Sequence, residues 1–225
     1  MSETSPHPQP NPTGPVSIHK LFPVCVMEVM LEDASALNAA LKKVILDNKA
    51  RSPGVARSNI LGWHSDTEML QWGGPPAQKL ALTMLQICGQ RTDDVGMRGG
   101  QPRYEMAMEM WANVSPHSAS NQFHAHPGCL WSGVYYVDNG GDEDASLVLM
   151  DPNFPMNRMY APDLQFVGDG GERFPSRREF APTPGKLVIF PSWLNHAVKP
   201  NQAAGERISI AMNVLALPVR PSPGG

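Results

Sequence analysis

From Tyr104 onward the apolar period of this chain changes to two: Tyr104, Met106, Met108 and Met110 alternate with Glu105, Ala107, Glu109 and Trp111. Successive side chains of an extended strand point to opposite faces, so this segment is a strand with one face toward a core and a second face of different chemistry. Further short strand candidates follow at 131–137, 145–150, 186–191 and 207–217, separated by clusters of Gly, Pro, Asn and Asp. The first half reads differently. An entering strand over 18–31 is broken at Pro23. Asp33 and Ser35 then offer N-cap oxygens to a helix whose apolar positions Leu37, Leu41, Val44 and Ile45 fall at helical spacing, and Pro76–Gln90 repeats that pattern with Leu80, Met84, Ile87 and Cys88. Two helices before a run of short strands predict an α+β chain whose helices pack outside an antiparallel barrel or sandwich.

Residues 1–16 hold Pro6, Pro8, Pro10, Pro12 and Pro15 and almost nothing apolar, so they are expected to form a mobile, disordered tail. The remainder, 17–225, reads as a single domain with its strand-rich core at about 103–217. A chain of 225 residues with 41% apolar content is long enough for one substantial core. Its net charge of −3 leaves no basic footprint for nucleic acid or an anionic membrane. No apolar run approaches the roughly 20 residues of a membrane span, and the Pro-rich start lacks the basic and apolar regions of a secretory signal, so a cytoplasmic protein is expected. Cys25, Cys88 and Cys129 are odd in number and widely spaced, which argues against a disulfide framework. A homo-oligomer is left open.

The chemistry concentrates on histidine. In an extended strand, residues i and i+2 share a face, so His124 and His126 can present two imidazoles to one metal ion, with His196 as the third. The loop 197–206 then returns the chain to a strand opening with Arg207, whose guanidinium could grip a carboxylate bidentately, with Ser209 on the same face. Tyr135 or Tyr136 could add a phenol to that carboxylate. Three protein ligands on one face of iron leave positions open for a chelating co-substrate and dioxygen. His7, His19 and His117 read as surface or hydrogen-bonded residues. Cys129 reads as a small buried residue rather than a thiolate ligand. Trp111 and Trp193 are expected in core or pocket wall, and Asn113, Asn121 and Asn213 are candidates to line the site.

Four stretches carry a resemblance: Phe123-His124-Ala125-His126-Pro127-Gly128; Ser132-Gly133-Val134-Tyr135-Tyr136-Val137; Pro184 through His196; and Arg207-Ile208-Ser209-Ile210-Ala211-Met212-Asn213. They resemble the 2-oxoglutarate/iron(II)-dependent oxygenases, nearest to a bacterial and phage branch, over roughly residues 55–217. The resemblance implies a double-stranded β-helix, the jelly roll of oxygenases and cupins; iron(II) held by His124, His126 and His196; and 2-oxoglutarate as co-substrate near Arg207, Ser209, Tyr135 and Tyr136. It also implies oxidative decarboxylation of 2-oxoglutarate coupled to hydroxylation of a small-molecule or peptide substrate. This chain departs from the superfamily's His-x-Asp/Glu pair in holding His126 at the carboxylate position. That removes one negative charge, which should weaken iron(II) binding.

Two alternatives stand beside this reading. Trp63-His64-Ser65-Asp66 contains a literal His-x-Asp and would restore the carboxylate, but it is followed by the turn-forming Gly73-Gly74-Pro75-Pro76 rather than by a barrel strand and lies 132 residues before His196, against 72 for His124; a loop lining the substrate mouth is the expectation there. Three-histidine sites also occur in cupin-like proteins that hold a metal without turnover, or oxidise without a 2-oxo acid. Arg207 with Ser209 favours the co-substrate, since a site without one has no evident need of that pair.

Overall fold

The computed structural model describes residues 18, 19, 21–153, 161 and 163–219. The expectation for residues 1–16 lies outside the described residues. Strand β1 (Met27–Met30) enters, helix α1 (Ala34–Lys49) follows, and two short strands, β2 (Asn59–Ile60) and β3 (Trp63–His64), precede helices α2 (Met69–Trp72) and α3 (Gly74–Gln90). The rest is strand: β4 (Tyr104–Ser115), β5 (Ser120–His124), β6 (Trp131–Asp138), β7 (Leu147–Met150), β8 (Arg177–Phe180), β9 (Lys186–Pro191), β10 (His196–Val198) and β11 (Arg207–Pro218). The sequence signals recover both long helices but only the last third of the entering strand. Asp33 does sit at the N-cap of α1, yet with a left-handed backbone (φ 52°) and no side-chain capping bond.

All named strands pair antiparallel in two sheets, in the orders β1-β9-β6-β11-β4-β3 and β2-β5-β10-β7-β8. The fold is α+β with a jelly-roll core. Strand parity decides what each face does. Met110, Ala112, Val114, Tyr135, Leu187, Ile189, Ile208, Ile210 and Met212 join Leu41, Ile45, Leu80 and Met84 in one buried cluster, so the helices cover the outer face of the six-stranded sheet. Gly133 allows this approach: a Cβ there would lie 2.7 Å from the Met84 sulfur. The opposite face of the same strands looks into the barrel, where Val134, Tyr136, Leu147, Leu149, Val188, Phe190 and Leu194 form a second cluster.

The inner face is organised in tiers by strand register. Asn213 on β11 stands opposite Glu109 on β4 and Ser132 on β6; Ala211 opposite Trp111 and Val134; Ser209 opposite Asn113 and Tyr136; and Arg207 opposite Ser115. From Asn213 to Arg207 the strand runs six residues, roughly 20 Å at the ordinary rise.

Candidate metal centre and active site

Three histidines converge at one end of this interior. His124 closes β5 and His196 opens β10, and the two are direct partners across the sheet. His126 lies just past β5 rather than on it, so the same-face argument from an extended strand does not place it. Its position is fixed by its backbone N–H, which donates to the Ser192 carbonyl at 2.8 Å. The ring centroids are 4.2 Å apart for His124 and His196, and 5.0 Å from His126 to each of the others. One ring nitrogen from each lies within 4.8 Å of the other two, the spacing of groups able to share one ion.

Hydrogen bonding fixes which nitrogen faces inward. His124 Nδ1 is 2.7 Å from the Gln122 carbonyl and His196 Nδ1 is 2.9 Å from the Leu194 carbonyl. A carbonyl only accepts, so each Nδ1 carries the proton and each Nε2 keeps a lone pair. His126 Nδ1 is 2.6 Å from Asn213 Oδ1, which also accepts from the Ser132 hydroxyl at 2.8 Å. The three imidazoles thus share one tautomer and offer Nε2, with their other nitrogens held as metal-binding histidines require. Burial is the main force pushing the His126 and His196 pKa values down, that of His196 to about 3, with the neighbouring histidines adding to it. Neutral imidazole is the form that ligates.

The cavity beside the histidines has a volume of about 440 Å³. It passes the small side chains of Val134 and Ala211 and reaches Ser209, one tier above Arg207. Arg207 is 1% exposed. Its Nη1 donates to the carbonyls of Ala145 and Lys199, both at 3.1 Å, while Nε has no partner among the described residues. No carboxylate lies within ion-pair distance of it among the described residues. The nearby Asp142 carboxylate is instead held below its usual pKa range chiefly by the Gln202 backbone N–H, with those of Asp144 and Ala145 assisting. The Tyr136 hydroxyl, on the inner face next to Ser209, is likewise buried, with no hydrogen-bond partner of good geometry among the described residues.

Tyr135 does not take the role expected for it. Parity turns it outward to the helices, where its hydroxyl donates to Asn38 Oδ1 at 2.6 Å and burial raises its pKa to about 12. Of the adjacent tyrosines, Tyr136 alone faces the barrel interior. The rival pair also separates. His64 pairs on β3 with Asn113 and lines the cavity, stacked on Trp111 at 5.5 Å, so it sits on a strand rather than the loop expected. Asp66 is exposed and accepts from the Glu68 backbone and the Trp72 indole. Cys129 lines the cavity, but only the three histidines form a metal-sized group among the described residues. Trp193 is 54% exposed and does not line the cavity, so it is in neither the core nor the pocket wall where it was expected. Ser132 is the contributor that the sequence signals missed; its parity with Val134 and Tyr136 on β6 was the available clue.

Comparison with known proteins agrees with this geometry. Residues 109–213 match the family model described as "Putative 2OG-Fe(II) oxygenase". Among solved structures, a prolyl hydroxylase from Trichoplax adhaerens, in complex with a hypoxia inducible factor peptide fragment, is similar at 14% identity and a TM-score of 0.57, covering 85% of this chain and 83% of its own. A Pseudomonas putida prolyl-4-hydroxylase is similar at 16% identity and a TM-score of 0.53, with 87% and 93% covered. HygX from Streptomyces hygroscopicus, solved with nickel and 2-oxoglutarate, is similar at 14% identity and a TM-score of 0.54, with 85% and 82% covered. No curated protein matches the sequence. The structural likenesses speak for the fold. The family match spans residues 109–213, the stretch that carries all three histidines and Arg207, and supports an enzyme of the 2-oxoglutarate- and iron(II)-dependent oxygenase type.

Proposed function

We propose that His124, His126 and His196 hold iron(II) through Nε2, and that Arg207, Tyr136 and Ser209 bind the distal carboxylate of 2-oxoglutarate. The observation that carries this reading is Arg207 itself. A guanidinium at 1% exposure, with no ion-pair partner and an orphaned Nε among the described residues, needs an anion, because an uncompensated buried charge is costly. The unpartnered Tyr136 hydroxyl supplies a further donor, and the path from the histidines past Ala211 and Val134 suits a slender dicarboxylate. Bound there, iron(II) and its co-substrate would supply oxidising power from dioxygen, with one oxygen atom going to a substrate C–H bond, the other to succinate, and carbon dioxide released. The chain's own work is positional. Asn213 and two backbone carbonyls hold the imidazoles in their ligating tautomer, Arg207 orients the co-substrate, and Phe190, with its ring 4.8 Å from His196, screens one side from water.

The substrate is taken to be a small molecule or peptide, and the protein to act in the cytoplasm, consistent with its three free cysteines. No helix among the described residues is long and apolar enough to cross a membrane. The test is thermal unfolding with iron(II), with and without 2-oxoglutarate. Protection that needs both, and that vanishes in Arg207→Ala, is expected. Protection by iron(II) alone, unchanged by 2-oxoglutarate, would instead favour a metal-holding or co-substrate-free site.

A further inference from the structure

The histidines and the deep end of the cavity leave two charged residues on its exposed lining unused. Arg57, just before β2, and Glu109 on β4 both line the cavity, and neither has an ion-pair partner among the described residues, including each other. They flank the triad from different sides. Arg57 precedes Ser58, whose hydroxyl is 3.5 Å from His124 Nε2, and its charge acts on His64. Glu109 stands opposite Asn213, the partner of His126, and its charge acts on His126 and Cys129. Between these sides, Trp111 stacks on His64 with ring planes 15° apart and tilts toward His126 at 5.6 Å, forming a flat aromatic wall.

A cavity with opposite, unneutralised charges on two sides selects against molecules of one charge, since each meets one repulsive group, and against neutral ones, which must desolvate both. A molecule bearing both charges satisfies each at once. We infer that the oxidised substrate is a small zwitterion of the amino-acid type, its carboxylate bound by Arg57, its ammonium by Glu109, and its carbon chain laid on Trp111 with a C–H bond toward the histidines. This rests on the oxygenase reading, and the reaction keeps the same balance: one oxygen atom to that C–H bond, the other to succinate, and carbon dioxide released. Arg207 at the far end remains for the co-substrate, so the two guanidiniums serve different carboxylates.

The full chain, loaded with iron(II) and 2-oxoglutarate in air, is assayed for succinate against free α-, β- and γ-amino acids, each compared with its N-acetyl and carboxamide derivatives. At least one free amino acid should stimulate succinate formation with an equal yield of hydroxylated product, and blocking either end should raise KM by about tenfold or more. Arg57→Ala should abolish discrimination between the acid and its amide, and Glu109→Gln that between the amine and its N-acetyl form, while both variants retain the wild-type affinity for 2-oxoglutarate. The inference is overturned if no free amino acid stimulates turnover, if the blocked forms work equally well, or if Arg57→Ala weakens 2-oxoglutarate instead. Thermal protection by 2-oxoglutarate, read on the same samples, separates the two claims: its absence removes the oxygenase reading itself, whereas its presence with an unresponsive panel removes only the zwitterion.

Discussion

His126 and Asn213 are joined by a 2.6 Å hydrogen bond from the imidazole Nδ1 to the amide Oδ1, linking the loop after β5 to the inner face of β11. This contact takes the place of the backbone carbonyl that fixes the tautomer of each of the other two histidines. Asn213→Ala should therefore free the His126 ring and lower iron(II) affinity by about ten- to a hundredfold, the usual effect of removing the partner of a metal-binding histidine. Asn213→Asp keeps the acceptor and should retain affinity. Equal weakening in both variants, measured by metal titration, would show that the amide acts through packing alone.

The two tyrosines of β6 separate by parity, and their variants should separate too. Tyr136→Phe removes an unpartnered inward hydroxyl and is expected to weaken 2-oxoglutarate severalfold while leaving the melting temperature of the metal-free protein unchanged or raised. Tyr135→Phe breaks the bond to Asn38 on α1 and should cost about 1 kcal/mol of stability with no change in co-substrate affinity. Calorimetric titration beside thermal unfolding reads both, and a reversed pattern would mean that the inward face has been misassigned.

How much of this was legible in the sequence depended on whether a residue's surroundings were local. The alternation from Tyr104 marked β4 because its two faces differ in kind: Met110 and Ala112 meet helices, while Glu109 and Trp111 meet the cavity. Strands β5 and β10 gave little signal. Ser120–His124 is polar and His196–Val198 has only three residues; they are strands because they pair with each other and with neighbours distant in sequence. That same pairing brings His124 to His196, so the histidine spacing announced a site whose scaffold was largely silent. Choosing between Tyr135 and Tyr136 needed the phase of β6 against β11, where the register shifts between Ile208 and Ser209. The orphaned state of Arg207 was likewise beyond reach, since it depends on Asp142 being occupied by backbone donors from a distant loop.

Acidification should weaken the metal-free protein. Burial holds His196 at about 3 in the folded chain, against 6.5 in an unperturbed histidine, and lowers His126 as well. Between those values the unfolded chain binds a proton that the folded chain refuses, so stability is present above about pH 6.5 and is lost as pH falls toward 3. Asp138 and Asp142, both lowered in the fold, add losses of the same sign in acid. Replacing His196 with Gln should reduce the slope between pH 6.5 and 4.5, leaving the share that comes from His126, measured by denaturant unfolding without metal. An unchanged slope would assign the acid sensitivity to other groups.

Arg207 should cost the fold what it contributes to binding. Among the described residues its buried guanidinium has no carboxylate partner and is held by two carbonyls on one nitrogen, with Nε bare. Replacing a buried, poorly compensated charge with an apolar side chain of similar length is often neutral or stabilising. Arg207→Met should therefore melt at or above the wild-type temperature when free of 2-oxoglutarate. Binding should move the other way. A charge-assisted bond to a carboxylate contributes roughly 1.5–3 kcal/mol, so anaerobic titration with iron(II) and 2-oxoglutarate should show affinity lowered by about ten- to over a hundredfold, with iron(II) affinity itself unchanged. A variant that is destabilised and still binds 2-oxoglutarate normally would make Arg207 a structural strut and leave the co-substrate's carboxylate without a partner at this end of the barrel.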